Sequence, residues 1–151
     1  MNTPKEMTKI ANLTPAEQEG LELEFVDAIR AGFPSPAADY AGERIDIVRE
    51  LSTHPDTTFY AQVNGDSMRD AGLLDGDIIV IDKSLEPHNG DYIVAAIDGE
   101  FTIKEFRRDD ANKCGWLIPH NPEFQPIRVT AEDNFSVWGV VTHCIHRTRR
   151  I

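Results

Sequence analysis

Long hydrophobic runs are missing from this chain. The longest unbroken aliphatic stretch is Ile93-Val94-Ala95-Ala96-Ile97, far short of the roughly 18 apolar residues that a membrane-spanning helix needs. No membrane association is expected. Cysteine is scarce, with Cys114 and Cys144 the two present and no C-x-x-C spacing between them. The N-terminus lacks the basic start, apolar stretch and cleavage site of a secretory signal, and together these absences point to a reduced, cytoplasmic protein. Positive charge is also short. Fifteen Lys and Arg face 26 Asp and Glu, for a formal net charge of -11. Phosphate-backbone binding depends on clustered Lys and Arg that release counterions, so direct nucleic-acid binding is not expected and a protein partner is.

The 151 residues, 40% hydrophobic and 27% charged, suffice for one domain with a sizeable core plus an arm. Residues 1–31 are acidic and poor in large apolar side chains, and read as the arm; residues 32–151 read as the domain. Within the arm, Thr14-Pro15-Ala16-Glu17 has the form of a capping box with proline at the first helical position. The following Leu21-Glu22-Leu23-Glu24-Phe25 alternates with a period of two. The expectation is a helical turn, then an extended piece that needs a surface to cover.

From Gly32 onward, short β-rich runs alternate with turn chemistry, the pattern of an all-β domain. Ile45-Asp46-Ile47 reads as a strand, Val48 to Ser52 as a helical turn ended by His54-Pro55, and Thr57 to Val63 as a strand running into Gly65. Ile78 to Ile81 follows an Asp75-Gly76-Asp77 turn. Tyr92 to Ile97 and Glu100 to Phe106 flank Asp98-Gly99, a strong hairpin signal. Trp116 to Ile118, Ile127 to Val129 and Phe135 to Ile145 complete about seven or eight strands, enough to curl into a sandwich or small barrel. No internal repeat or low-complexity tract interrupts this pattern.

Two residues stand out chemically. Ser67 lies in the turn Gly65-Asp66-Ser67-Met68, and Lys104 lies inside the run Phe101-Thr102-Ile103-Lys104-Glu105-Phe106. Strand interiors are mostly half buried, and burial disfavours an ammonium, so Lys104 is a candidate neutral lysine and therefore a base. An unperturbed lysine of pKa about 10.4 carries a free lone pair in only roughly one molecule in 2,500 near pH 7. Moving that pKa to about 7 takes on the order of 4.6 kcal/mol, which full burial can supply. Upstream, Ala31-Gly32 is followed by Phe33-Pro34-Ser35-Pro36, small side chains on backbone that two prolines keep out of helix. That combination suits a protease cleft. Ser67 would be the nucleophile, Lys104 the general base, and the Ala31–Gly32 bond a substrate on the same chain.

Simpler readings stand beside this one. A serine in a glycine turn is commonplace, and Arg69 replaces the second glycine of the hydrolase elbow Gly-x-Ser-x-Gly. A strand lysine usually snorkels from an edge. His54, His88, His120, His143 and His146 are rival bases, but no motif links any of them to Ser67. His143-Cys144-Ile145-His146 invites a metal reading, yet on a strand the two histidines would face opposite ways, so no metal is expected. Arg147, Arg149 and Arg150 read as a solvated basic tail.

The order and spacing of Ala31-Gly32-Phe33-Pro34-Ser35-Pro36-Ala37-Ala38-Asp39-Tyr40, Gly65-Asp66-Ser67-Met68, Asp75-Gly76-Asp77 and Gly99-Glu100-Phe101-Thr102-Ile103-Lys104 closely resemble the LexA/UmuD family of self-cleaving serine peptidases over roughly residues 29 to 146. Ala31-Gly32 is similar to the scissile pair of the LexA-type repressors. The resemblance implies a mainly β, signal-peptidase-like catalytic domain of curled sheets forming a partly open barrel, behind a flexible N-terminal arm. It implies a Ser67/Lys104 dyad with no cofactor, self-cleavage at Ala31–Gly32, and an oxyanion held by backbone N–H groups, most naturally those of Asp66 and Ser67. It also implies a homodimer, activation by a RecA filament on single-stranded DNA, and service of the trimmed form to a UmuC-like Y-family polymerase, with a sliding clamp as a further partner in SOS translesion synthesis. The alternatives are a LexA-type repressor fragment, which needs a DNA-binding helix-turn-helix that residues 1–31 are too short and acidic to supply, and a binding module with a vestigial pair. A signal peptidase would need membrane anchors.

Overall fold

The computed structural model describes residues 9–15, 22–25 and 43–149. An eight-stranded sheet dominates it, in the order β1-β4-β5-β10-β6-β7-β8-β9, and every neighbouring pair is antiparallel. Its strands are β1 (Lys9–Pro15), β4 (Thr58–Asn64), β5 (Ile78–Asp82), β6 (Tyr92–Ile97), β7 (Glu100–Asp109), β8 (Cys114–Ile118), β9 (Ile127–Val129) and β10 (Phe135–Ile145). A second, two-stranded sheet pairs β2 (Glu22–Phe25) with β3 (Glu43–Asp46). The edge strand β1 also comes up against β7. The large sheet therefore curls back towards itself, as a mainly β domain of curled sheets was expected to do.

Local chemistry explains most boundaries. Asp98 and Gly99 both take positive φ, 49° and 80°. Paired with the direct Ile97–Glu100 register, this is the two-residue turn whose twist matches that of its strands. Asp46 ends β3 and caps α1 (Ile47–Leu51) by accepting the Arg49 N–H at 3.2 Å. Ile47 accordingly starts the helix rather than ending a strand, a correction to the sequence reading. The Thr14-Pro15 capping box is overturned as well: both residues lie in β1, opposite Tyr60 and Phe59. Proline is tolerated there because β1 is an edge strand. The rest of that expected turn lies outside the described residues, and so do Ala31 and Gly32. The alternating Leu21–Phe25 segment is extended from Glu22 onward, as its period required.

Two apolar clusters build the core. Ala61, Val63, Met68, Leu73, Ile79, Ile81, Val94 and Ile103 form one; Ile93, Ala95, Ile97, Phe106, Leu117, Val129 and Val140 form the other. Each fully buried Ile, Leu, Val or Met contributes about 1.5–3 kcal/mol of transfer free energy. Met68 and Leu73 belong to the loop that follows β4, so burying them anchors that loop to the sheet. No helix among the described residues is long and apolar enough to cross a membrane.

Candidate active site

Ser67 sits at the start of the loop between β4 and β5, and three features hold that loop in shape. Gly65 turns the chain sharply with φ 119°, which only glycine adopts without strain, and its N–H is held at 2.8 Å by Asp75 Oδ1. The base of the loop is closed by Val63 N–H to Asp77 O and Gly76 N–H to Val63 O, both 2.8 Å. Met68 then points into the core with no exposure.

Lys104 is brought to Ser67 by the β6–β7 hairpin. On β7 it stands directly opposite Ile93, with Thr102 on the same face opposite Ala95. Ser67, Thr102 and Lys104 all have zero exposure, and Ile93 and Ala95 are equally buried. The Lys104 Nζ lies 3.0 Å from Ser67 Oγ, 2.8 Å from Thr102 Oγ1 and 3.1 Å from Ile103 O. No carboxylate stands within ion-pair distance of it among the described residues. Burial against aliphatic neighbours pushes the lysine from 10.5 down to about 7. Asp66, whose approach to Lys104 would have favoured the charged form, is exposed instead.

Donor arithmetic shows what this arrangement can do. A neutral amine has two N–H donors and one lone pair. Ile103 O can only accept, and Thr102 Oγ1 can take the second hydrogen. The lone pair is then left for the Ser67 hydroxyl, the alignment a general base needs.

The histidines are engaged elsewhere. His120 Nε2 meets Glu105 Oε1 at 3.0 Å, and His146 Nδ1 meets Asp77 Oδ1 at 2.7 Å. His143 Nδ1 contacts Thr142 Oγ1 at 2.9 Å. His88 sits before β6, where its backbone N–H reaches Asp91. His54 Nδ1 meets Asp82 Oδ2 at 2.6 Å, and Ser84 Oγ approaches that same nitrogen at 3.4 Å. A Ser/His/Asp triad needs serine and aspartate on opposite ring nitrogens, so this cluster is not one. Among the described residues, no group of three or more His, Cys, Asp or Glu is placed to hold a metal ion. A cavity of about 400 Å³ lined by Phe106, Arg108, Cys114, Val129 and Phe135 includes neither Ser67 nor Lys104.

Sequence reasoning missed the supporting shell. Thr102 was detectable, since a period of two puts it beside Lys104. His120 and Asn121 carried no local signal, yet His120 N–H donates to Ser67 O at 2.8 Å and Asn121 Nδ2 to Asp66 O at 3.0 Å.

The curled β domain brings a serine hydroxyl against a buried lysine amine, and the chain belongs to the Peptidase S24-like family, whose profile matches residues 24–142. The family is one of serine peptidases. Within it, the chain is 38% identical over 133 residues to protein ImpA of Salmonella typhimurium, covering 84% of this chain and 85% of that protein. It is 38% identical over 140 residues to protein SamA of Salmonella typhimurium strain LT2, covering 91% and 96%. It is 39% identical over 123 residues to protein MucA of Escherichia coli, covering 80% and 82%. These relatives bear out the UmuD-like character carried by the four motifs and set the chain among peptidases related to SOS mutagenesis.

Proposed function

We propose that this protein is a self-cleaving serine peptidase that cuts its own Ala31–Gly32 bond through Ser67 and Lys104, and that the trimmed form serves an error-prone translesion polymerase. The observation that carries this reading is a completely buried lysine amine 3.0 Å from a serine hydroxyl, with no counter-ion among the described residues. The Ser67 hydroxyl gives its proton to the Lys104 Nζ lone pair as Oγ bonds to the Ala31 carbonyl carbon. The carbonyl oxygen becomes an oxyanion, received by the backbone N–H groups of Asp66 and Ser67. Lys104 then returns the proton to the Gly32 nitrogen as the C–N bond breaks. Water, deprotonated by the same amine, releases Ala31 as a carboxylate and regenerates the serine.

The reaction is conditional, because the segment carrying Ala31–Gly32 must reach Ser67. A partner that favours the docked state switches it on. The family resemblance supports a RecA filament on single-stranded DNA as that partner, a homodimer as the working unit, and a UmuC-like Y-family polymerase with a sliding clamp as the destination. The net charge of -11 favours protein over nucleic-acid contacts.

Incubating the full chain with activated RecA and measuring intact mass tests the proposal. The parent should yield a fragment beginning at Gly32, and Ser67→Ala and Lys104→Ala should yield none while remaining folded. The same fragment from either variant at the parental rate would refute the dyad.

A further inference from the structure

The loop between β8 and β9 grips the turn that carries Ser67. His120 N–H donates to Ser67 O at 2.8 Å, His120 O accepts the Asp70 N–H at 2.8 Å, and Asn121 Nδ2 donates to Asp66 O at 3.0 Å. Asn121 is almost wholly buried, with 4% exposure. Its orientation is determined by its other end: Oδ1 accepts the Glu123 N–H at 3.0 Å, so the face turned to Asp66 O must be the NH₂ group.

This bond is not needed to satisfy the backbone. Asp66 O already accepts the Arg69 N–H at 3.1 Å, closing the turn. A second, buried donor on the same oxygen adds direction rather than satisfaction. All described peptide bonds are trans, so the C=O and N–H of each unit point in opposite senses. Fixing Asp66 O on the Asn121 side therefore aims the N–H of the same peptide, that of Ser67, the other way. His120 constrains the next peptide through Ser67 O. The same histidine binds Glu105 at 3.0 Å, the residue after Lys104, so one short segment braces both the nucleophile turn and the strand that carries the base.

We infer that Asn121 is a positioning residue for the peptidase reaction proposed above, holding the Asp66–Ser67 peptide so that the Ser67 N–H is aimed at the developing oxyanion. Removing an oxyanion donor outright slows related reactions about 100- to 1,000-fold. Releasing one to wander costs less, and a fall of about 10- to 100-fold is expected.

The test is the rate of spontaneous self-cleavage of the full chain against pH, for the parent, Asn121→Ala and Asn121→Asp. The aspartate variant retains the acceptor for Glu123 N–H and the shape of the side chain, while setting a carboxylate against Asp66 O. It keeps the test informative if the alanine variant folds poorly. In either variant the high-pH plateau should fall about 10- to 100-fold while the midpoint of the profile, set by Lys104, stays where it is in the parent. An unchanged plateau, or a midpoint moved towards that of a hydrated lysine with the plateau intact, overturns the inference and leaves the peptidase reading standing. A parent that yields no Gly32 fragment at any pH overturns both.

Discussion

Lys104 is the largest side chain with essentially no exposure among the described residues, and its burial has a thermodynamic signature. Its amine titrates at about 7 in the folded domain and at about 10.4 when unfolded. Between those values the unfolded chain holds the extra proton. Folding is therefore penalised most below pH 7, and the penalty shrinks as pH rises towards 10.4. Lys104→Met keeps the stem and removes the amine. It should raise stability by on the order of 4 kcal/mol at pH 6 to 7 and by progressively less towards pH 10, as measured by urea denaturation. Equal midpoints for parent and variant at pH 7 would mean that the amine is not desolvated. At this scale the sequence was legible where chemistry was unusual. A lysine among Thr102, Ile103 and Phe106 is conspicuous, and Ser67 became so through the motifs around it. Asn121 and His120 escaped notice because their roles depend on approach across the sheet, which no local pattern encodes.

Elements carry two further predictions. Asp82, at the end of β5, gathers His54 Nδ1, Thr57 Oγ1, and the N–H and hydroxyl of Ser84. Burial pushes its carboxyl up, but the bonds from His54, Ser84 and Thr57 outweigh that and hold it at about 2. A depressed carboxyl stabilises the fold fully above its unfolded value near 4 and loses that contribution as pH falls towards 2. Asp82→Ala should cost about 2–3 kcal/mol at pH 7 through the donors it strands, and should flatten the loss of melting temperature between pH 4 and 2. A variant with the parental acid profile would refute this role. Gly139 lies where β10 bulges against β6. A Cβ there would sit 2.5 Å from Ile81 Cγ2, so Gly139→Ala should destabilise by about 1–3 kcal/mol, whereas an unchanged melting temperature would show that Ile81 repacks freely. Strand boundaries were legible wherever turn chemistry was local, as at Asp98-Gly99. They were not legible at Thr14-Pro15, because pairing with Tyr60 and Phe59 overrides the cap that those residues spell out.

At the scale of the whole molecule, a net charge of -11 makes the compact state repel itself, an effect that salt screens within a Debye length of about 10 Å at 0.1 M. Raising NaCl from about 0.05 to about 0.5 M should therefore lift the melting temperature by a few degrees; a fall would indicate that surface ion pairs dominate instead. Strand order matters at this scale too. The pair β4–β5, which frames the Ser67 loop, and the hairpin β6–β7, which bears Lys104, are stitched edge to edge by β10. Ribosomes deliver residues in order, so a growing polypeptide carries both reactive groups long before Phe135–Ile145 emerges to draw the two halves together. Assembly of the site therefore depends on the last strand of the domain, which pairs with β5 through Val140–Ile145 and with β6 through Phe135–Val140.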